Sequence, residues 1–380
     1  FPVNVKMNQS INKSFKEIMK IGLNSLNVND FKDLSKNATI IDCRKPIDFA
    51  KAHIPGAIFI GIDGGFAPWA GSVIENLDSN ILLVVDSQRA EEAVTRLSRV
   101  GIDNTLGYLD GGMENWINKG NKVDSVKSVN VIEFEKQLNN LLKPEQIKDF
   151  CPNGLQIQGN ESISKVVTGV TATKALIDEA IDVGADTLIV HHGYFWKNES
   201  PVIRGMKYER IKALLSHNIN LFAYHLPLDI HPELGNNAQL AKLFGITVTG
   251  PLELGNEKSV AIQGEFSKAK NAEQLSELIS QQLNRQCLHI SSSSNRDIKT
   301  IAWCSGGGQS YIELAAEQGI DAFISGEVSE QTTHVAREMN IHFFAAGHHA
   351  TERYGPKALG DYIALETGLD VKFIDIDNPA

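Results

Sequence analysis

Apolar residues fall along the chain in short bursts rather than long blocks. The runs ATIIDC at 38–43 and NILLVV at 80–85 are β-rich, end in polar turn residues and lead into stretches of helical spacing. This pattern predicts alternating strands and helices over residues 27–121. Residues 122–130 are polar, show no apolar periodicity and read as a linker. A second series starts at Val131, with an amphipathic helix over Ile132 to Leu142. The runs SKVVTGVTA, ADTLIVHH, INLFAYH and KTIAWCS then read as strands with helical patterns between them. Strand–helix–strand alternation predicts parallel pairing through right-handed crossovers. The expected fold is therefore α/β throughout, with one domain at 27–121 and another at 131–380. No internal repeat interrupts the pattern, and SSSSN at 291–295 reads as a loop.

Composition narrows the class. A length of 380 residues suits two domains or one large one, and 42% hydrophobic with 22% charged residues excludes a disordered chain, a collagen-like fibre or a coiled coil. The charge balance of 36 basic against 46 acidic residues, −10 in all, supplies no global positive field, so a nucleic-acid partner is not indicated. Cys43, Cys151, Cys287 and Cys304 are scattered without a C-x-x-C pair, which fits neither a disulfide framework nor a zinc ribbon and makes a reducing cytoplasm the expected compartment. The longest purely aliphatic run, Ile81 to Val85, is far below the roughly 20 residues of a membrane span. The first twenty residues carry four lysines but no apolar core of an export signal, and the chain opens on Phe1 rather than Met, as an excerpt or a processed product would.

The segments IDCRKPIDFAKAHIPGAI and LDGGMENW, placed around ILLVVDSQRAEEA, resemble a rhodanese domain. That family's sulfur transfer needs a cysteine in the loop after the central strand, where backbone amides lower the thiol pKa and cradle the persulfide. Here the loop reads Asp86, Ser87, Gln88, Arg89, and a carboxylate cannot carry a persulfide. Cys43 ends a different strand and reads as a small buried side chain. The expectation is an inactive rhodanese-like domain used for docking or assembly. The opening FPVNVKMN and the variant loop also resemble the rhodanese tail of certain metallo-β-lactamase fusions.

The second half carries metal-ligand chemistry. LIVHHG sets His191 and His192 side by side at the carboxyl end of an apolar strand, where α/β sheets bind ligands. Neighbouring side chains on an extended chain point to opposite sides, so the two imidazoles can face two metals better than one. INLFAY ends in His225 and reaches Asp229 past the stiffening Pro227; Asp229 reads either as a ligand or as the cap of a following helix. AAGHHATERYG places His348 and Glu352 at i, i+4 on one helical face. One carboxylate can bridge two cations while the imidazole takes one of them. The turn Ser305 to Gly308 could cradle a phosphate through its amides or simply turn a strand into a helix.

In order along the chain, NGLQIQG, LIVHHGYFW, AYHLPLDIHPELGNN, SGGGQSY, SGEVSEQ and GHHATERYG resemble the Nif-three-like dinuclear metal-centre family, the GTP cyclohydrolase I type 2 homologues, from about Val131 onward. The resemblance implies an α/β domain of two related lobes. It also implies two divalent ions, Zn, Fe, Mn or Mg, on His191, His192, Asp229, His348 and Glu352, with Glu352 bridging. Of these, His192 would pair with Asp229 and His191 with His348. It implies further a ring-shaped homohexamer. A metal-dependent hydrolase of a nucleotide-like or phosphoester small molecule is the expected activity, and a non-enzymatic metal-binding scaffold or regulatory protein is the alternative. His225, His349 and Glu327 are the candidates for proton-transfer or supporting roles.

Overall fold

The computed structural model describes residues 13–74, 76–292 and 296–380. The opening FPVNVKMN and positions 293–295 of the serine loop lie outside the described residues. The chain divides into two compact units, the first ending at Lys127 and the second running from Ser128 to Ala380. Residues 122–130 are shared out between them: Asp124 forms a β-bridge with His53 in the first, and Val129–Asn130 pairs with Ser162–Ile163 in the second.

The first unit is built on five strands in the order Ser25–Leu26, Thr105–Leu109, Ile81–Val84, Thr39–Asp42, Ile58–Phe59, all paired in parallel. Both faces of such a sheet are covered by helices, so its central strand must be apolar without alternation. Ile81, Leu82, Leu83 and Val84 are accordingly all buried. The helix Ala90–Ser98 covers one face with Ala93, Val94 and Leu97 and carries Glu91 and Glu92 in its first turn, where the helix dipole favours negative charge.

The second unit contains two larger sheets. One runs Asp370–Phe373, Lys165–Thr171, Thr187–His192, Asn220–Ala223, Gly154–Ile157; the other runs Ile246–Pro251, Ile262–Lys270, Ile298–Cys304, Ala322–Ser325, His342–Ala345, Leu288–Ile290. Each has three consecutive parallel strands at its heart, linked by helical crossovers. Contrary to the all-parallel expectation, the sheets are mixed. Gly154–Ile157 closes the first sheet antiparallel, and Ile262–Lys270 pairs antiparallel on both sides in the second. Ile262–Lys270 has burial alternating with exposure at Gly264, Glu265, Phe266 and Ser267, the signature of a strand with one wet face, which a search for continuous apolar runs passes over.

The helix Val131–Leu142 shows how local sequence is tied to packing. Asn130 caps it by accepting from Ile132 N at 3.0 Å, and Lys143 ends it in the left-handed region at φ 49°. Its buried stripe is Val131, Phe134, Leu138 and Leu142. Phe134 meets Phe222 edge to face, ring centroids 5.6 Å apart, and so seats the helix on the strand that leads to His225. No helix among the described residues is long and apolar enough to cross a membrane.

The three central strands of each sheet end on the same shared cleft. Phe222 is the fully buried anchor beneath it. Phe222→Ala is expected to destabilise the second unit by about 3–5 kcal/mol, because no neighbour in a packed core can fill the vacated volume. Differential scanning calorimetry should show the second unit's transition move down while that of the first stays in place; a single transition shifting as a whole would contradict independent folding.

Candidate metal centre

All five sequence-predicted ligands come together within the second unit. His191 and His192 end the strand Thr187–His192, and Asp229 sits in the short helix Leu226–Ile230 after the neighbouring strand. His348 and Glu352 occupy the first and last positions of the helix His348–Glu352, which follows the last parallel strand of the other sheet. The site is therefore made by two sheets whose carboxyl ends face each other.

Glu352 is the hub. Its Oε1 lies 3.5 Å from Nε2 of His191 and 3.2 Å from Nε2 of His348, and its Oε2 lies 3.4 Å from Nε2 of His192. Each imidazole is held from behind through its other nitrogen. Nδ1 of His191 donates to the carbonyl of Tyr224 at 3.0 Å, Nδ1 of His348 donates to the carboxylate of Glu327 at 2.7 Å, and Nδ1 of His192 pairs with the Thr171 hydroxyl at 3.2 Å. Anchoring Nδ1 on an oxygen fixes the ring and leaves Nε2 as the free ligand atom, which is how metal-binding histidines are oriented. Nε2 of His191 and Oε2 of Glu352 are buried without a hydrogen-bond partner. Orphaned polar atoms this deep are costly unless something else satisfies them. A divalent cation does, and the all-nitrogen-and-oxygen donor set fits one.

The five predicted ligands fall into two sets, His191 with Asp229 and Glu352, and His192 with His348 and Glu352, each with ligand atoms within 4.8 Å of one another; two further sets of the same span centre on His225, one with His191 and His192 and one with Asp149 and Cys151. This reverses the pairing expected from the resemblance. The reason is directional: His191 turns toward its own sheet, 3.6 Å from Asp229 Oδ1, whereas His192, one residue on, faces across the cleft with its ring 5.4 Å from that of His348.

Electrostatics tell the same story. Burial drives the Asp229 carboxyl above its usual range, with Glu352 adding to the effect. Burial would raise Glu352 too, but the surrounding imidazoles outweigh it and hold that carboxyl well below its usual range. Burial disfavours charge on His191, yet the adjacent Asp229 and Glu352 carboxylates push it up to about 9. The hydrogen bond to Glu352 raises His348 to about 9 against partial desolvation. His192, dominated by burial, falls to about 3. Without metal, protons on His191 and His348 take the place of the positive charge the site is built around.

Several supporting residues escaped the sequence reading. Asp229 Oδ1 accepts from Asn236 Nδ2 and from Ser305 Oγ, both at 2.9 Å, and Asn237 Oδ1 accepts from Ser305 N at 3.0 Å. The Thr351 hydroxyl accepts from Gly306 N at 3.0 Å. The amides of Ser305 and Gly306 are thus committed to side chains, and this half of the turn shapes the metal pocket. Gly306, at φ +59°, is required there: an added Cβ would lie 2.1 Å from Oε1 of Glu352. Asn, Ser and Thr in a turn carry no distinctive signal in one sequence.

Of the other candidates, His225 lies against the cluster, its ring 5.0 Å from that of His191, with Nδ1 donating to Asp149 at 2.7 Å. Glu327 holds His348, as described. His349 is tied instead to Asp375 at 2.8 Å, which also pairs with Arg353.

In the first unit, a cavity of about 480 Å³ is lined by Cys43, Arg44 and the Asp86–Arg89 loop. The Asp86 carboxylate accepts from Gln88 N at 2.9 Å, and Arg89 N donates to Asp86 O, so the loop's amides are engaged internally. Cys43 is wholly buried, and burial together with the Asp42 carboxylate pushes its thiol far above the usual range. A thiol so protonated is no nucleophile.

Fold and site together define an α/β protein in which two facing sheets gather buried imidazoles and carboxylates able to hold metal ions, joined to a rhodanese-like unit without the loop thiol. The chain belongs to the DUF34/NIF3 (NGG1p interacting factor 3) family, whose profile matches residues 129–379, and a rhodanese-like domain profile matches residues 27–119. A protein of Vibrio cholerae named GTP cyclohydrolase 1 type 2 homolog is 58% identical over 252 residues, 66% of this chain and 100% of its own length. The protein of that name in Escherichia coli K12 is 54% identical over 248 residues, covering 65% and 98%. Among solved structures, one titled protein ybgI, unknown function, matches with a TM-score of 0.64 at 54% identity over 66% of this chain and all of its own. TTHA1606 from Thermus thermophilus matches with a TM-score of 0.60 at 31% identity over the same shares.

The proton count gives a pH signature. His191 and His348 have folded pKa values raised from the ordinary 6.5 or so to about 9, so their contribution to the stability of metal-free protein is complete below that ordinary value and is lost as pH rises through 9. Metal-stripped protein is therefore expected to lose denaturant resistance between pH 6.5 and 9 through these two groups, while protein titrated with divalent metal near pH 8 releases protons. Urea midpoints across that window, with and without metal, measure both; a metal-free midpoint that climbs with pH would contradict the assignment.

Proposed function

We propose that the second unit is a metal-dependent hydrolase built on two divalent cations, with His191, His192, Asp229, His348 and Glu352 as ligands and Glu352 shared. The observation that carries this reading is the convergence of three Nε2 atoms on one buried carboxylate whose Oε2, like Nε2 of His191, makes no hydrogen bond. A nitrogen and oxygen set without thiolate suits Zn, Fe, Mn or Mg. When bound, two such cations would polarise a scissile carbonyl or phosphoryl group and make water more acidic.

The chain's own residues supply the rest. Tyr224, Thr171 and Glu327 lock the three ligand rings in position, and Asn236 and Ser305 orient Asp229. Asp149, accepting from Nδ1 of His225, leaves Nε2 of that ring as a base beside the cluster, the geometry of a general base with its orienter. The cavity over the cluster, about 520 Å³, is of the size that takes a small molecule. Together with the name shared by the bacterial relatives, this favours a nucleotide-like or phosphoester substrate. We read the first unit as a docking or assembly module. Assembly as a homohexamer in the cytoplasm belongs to the same proposal and rests on the resemblance to the family; exposed apolar side chains on the second unit, Leu254 and Leu365 among them, offer surface for self-association.

Elemental analysis of metal-reloaded protein should give two ions per chain, and light scattering the mass of six chains. Glu352→Ala should lose metal and reduce hydrolysis of nucleotides or phosphodiesters by at least about 100-fold, the scale seen when a preorganised electrostatic group is removed. One ion or none in the wild type would sink the dinuclear reading. Two ions with no turnover on any such substrate would favour the scaffold.

A further inference from the structure

The cavity over the metal cluster holds one cation that the metal reading does not use. Arg285 lines it together with His192, His348 and Glu352. It is set by the backbone: Asn284 ends the helix Ala272–Leu283 in the left-handed region, and Arg285 N donates back to Ser280 O. Its guanidinium lies directly over Gly347, the residue before His348. A Cβ added at Gly347 would come 2.5 Å from Nε and 2.8 Å from Cζ, so glycine at φ +98° is what admits the group to this wall. Nε is buried without a hydrogen-bond partner, and the side chain's one hydrogen bond among the described residues goes to the carbonyl of Pro379. No carboxylate of the described residues is within ion-pair distance of it.

This arrangement is unfavourable on its own terms. A guanidinium packed over the residue that precedes a metal ligand is repelled by any cation in the cluster and has no carboxylate to balance it. The arginines lining the first unit's cavity are, by contrast, neutralised: Arg44 by Asp42 and Arg89 by Asp63 and Glu92. The charge is balanced when an anion lies between guanidinium and metals, accepting from the remaining terminal N–H groups on one side and facing the cations on the other. Planar, multidentate recognition of phosphate or carboxylate is what arginine offers over lysine.

We infer that Arg285 is the anion anchor of the site, and that the molecule turned over in this cavity carries a phosphate or similarly anionic group held between Arg285 and the metal cluster. This rests on the metal reading and narrows its substrate class. Arg285 touches the ligand and not the metals, so it is a specificity-determining residue whose removal leaves the metal count alone.

The test uses the full chain carrying metal stoichiometric with its sites, titrated calorimetrically with inorganic phosphate. Arg285→Gln should weaken phosphate binding tenfold or more with the metal count and circular dichroism unchanged, and Arg285→Lys should recover part of the loss. Phosphate affinity equal to wild type in Arg285→Gln would overturn the proposal, as would a wild type that binds no phosphate at millimolar concentration. If Arg285→Gln lowers thermal stability but not phosphate affinity, the residue is only a clip for the segment at Pro379, and the proposal fails. A wild type that holds no metal would overturn the metal reading instead, and elemental analysis of the same sample records that separately.

Discussion

A carboxylate buried to 2% exposure organises the second unit. Glu352 stays ionised in a place where an isolated charge could not survive, and everything around it exists to make that tolerable. Three rings aim nitrogen at it, a glycine with positive φ clears room for its oxygen, and the opposing sheet brings Asp229 close enough to need the same counter-charge. With protons alone the balance is incomplete, since Nε2 of His191 and Oε2 of Glu352 have charged neighbours but no hydrogen bond. Divalent cations held here would complete it.

The two halves of the chain show the same physical problem solved in opposite directions. In the first unit, a loop shape suited to an anionic sulfur species carries its own carboxylate: Asp86 occupies the loop's amides from within, and the nearby thiol of Cys43 is sealed in the core. In the second, polar atoms are left open at the bottom of a cleft. Polar atoms left unmatched at the bottom of a cleft are costly unless something binds there, which is what marks the second site.

Much of this was legible in the sequence because the informative features are strong and local. The parallel strands announce themselves as apolar runs, and histidines or carboxylates directly after such runs point to the cleft at the carboxyl ends of a sheet. The i, i+4 spacing of His348 and Glu352 survived intact as one face of a short helix. What could not be read was whatever depends on orientation across sheets. The two ligand sets are decided by which way His191 and His192 turn relative to a sheet whose ligands lie far along the chain, and spacing holds no information on that. The mixed edges were missed because Ile262–Lys270 alternates, and the roles of Asn236, Asn237, Ser305 and Thr351 were missed because such residues are ordinary in turns. The glycine-rich turn was ambiguous for a related reason: only the hydrogen bonds reveal whether amides are free or spoken for.

That the ligands come from two sheets, with Ile246–Pro251, Ile262–Lys270 and Ile298–Cys304 all lying between Asp229 and His348 in sequence, has a kinetic meaning. Contacts closed over such long loops form late, because the entropy of bringing distant segments together is met only once most of each lobe is in place. An emerging chain therefore offers an ion only donors of the first lobe, such as His191, His192, Asp229 and His225, and the complete cradle appears only when synthesis has passed Glu352 and both lobes have docked. If the site takes metal, the choice falls to the finished protein and to whatever ions surround it at that moment, so the same chain matured in different metal supplies would carry different cargo.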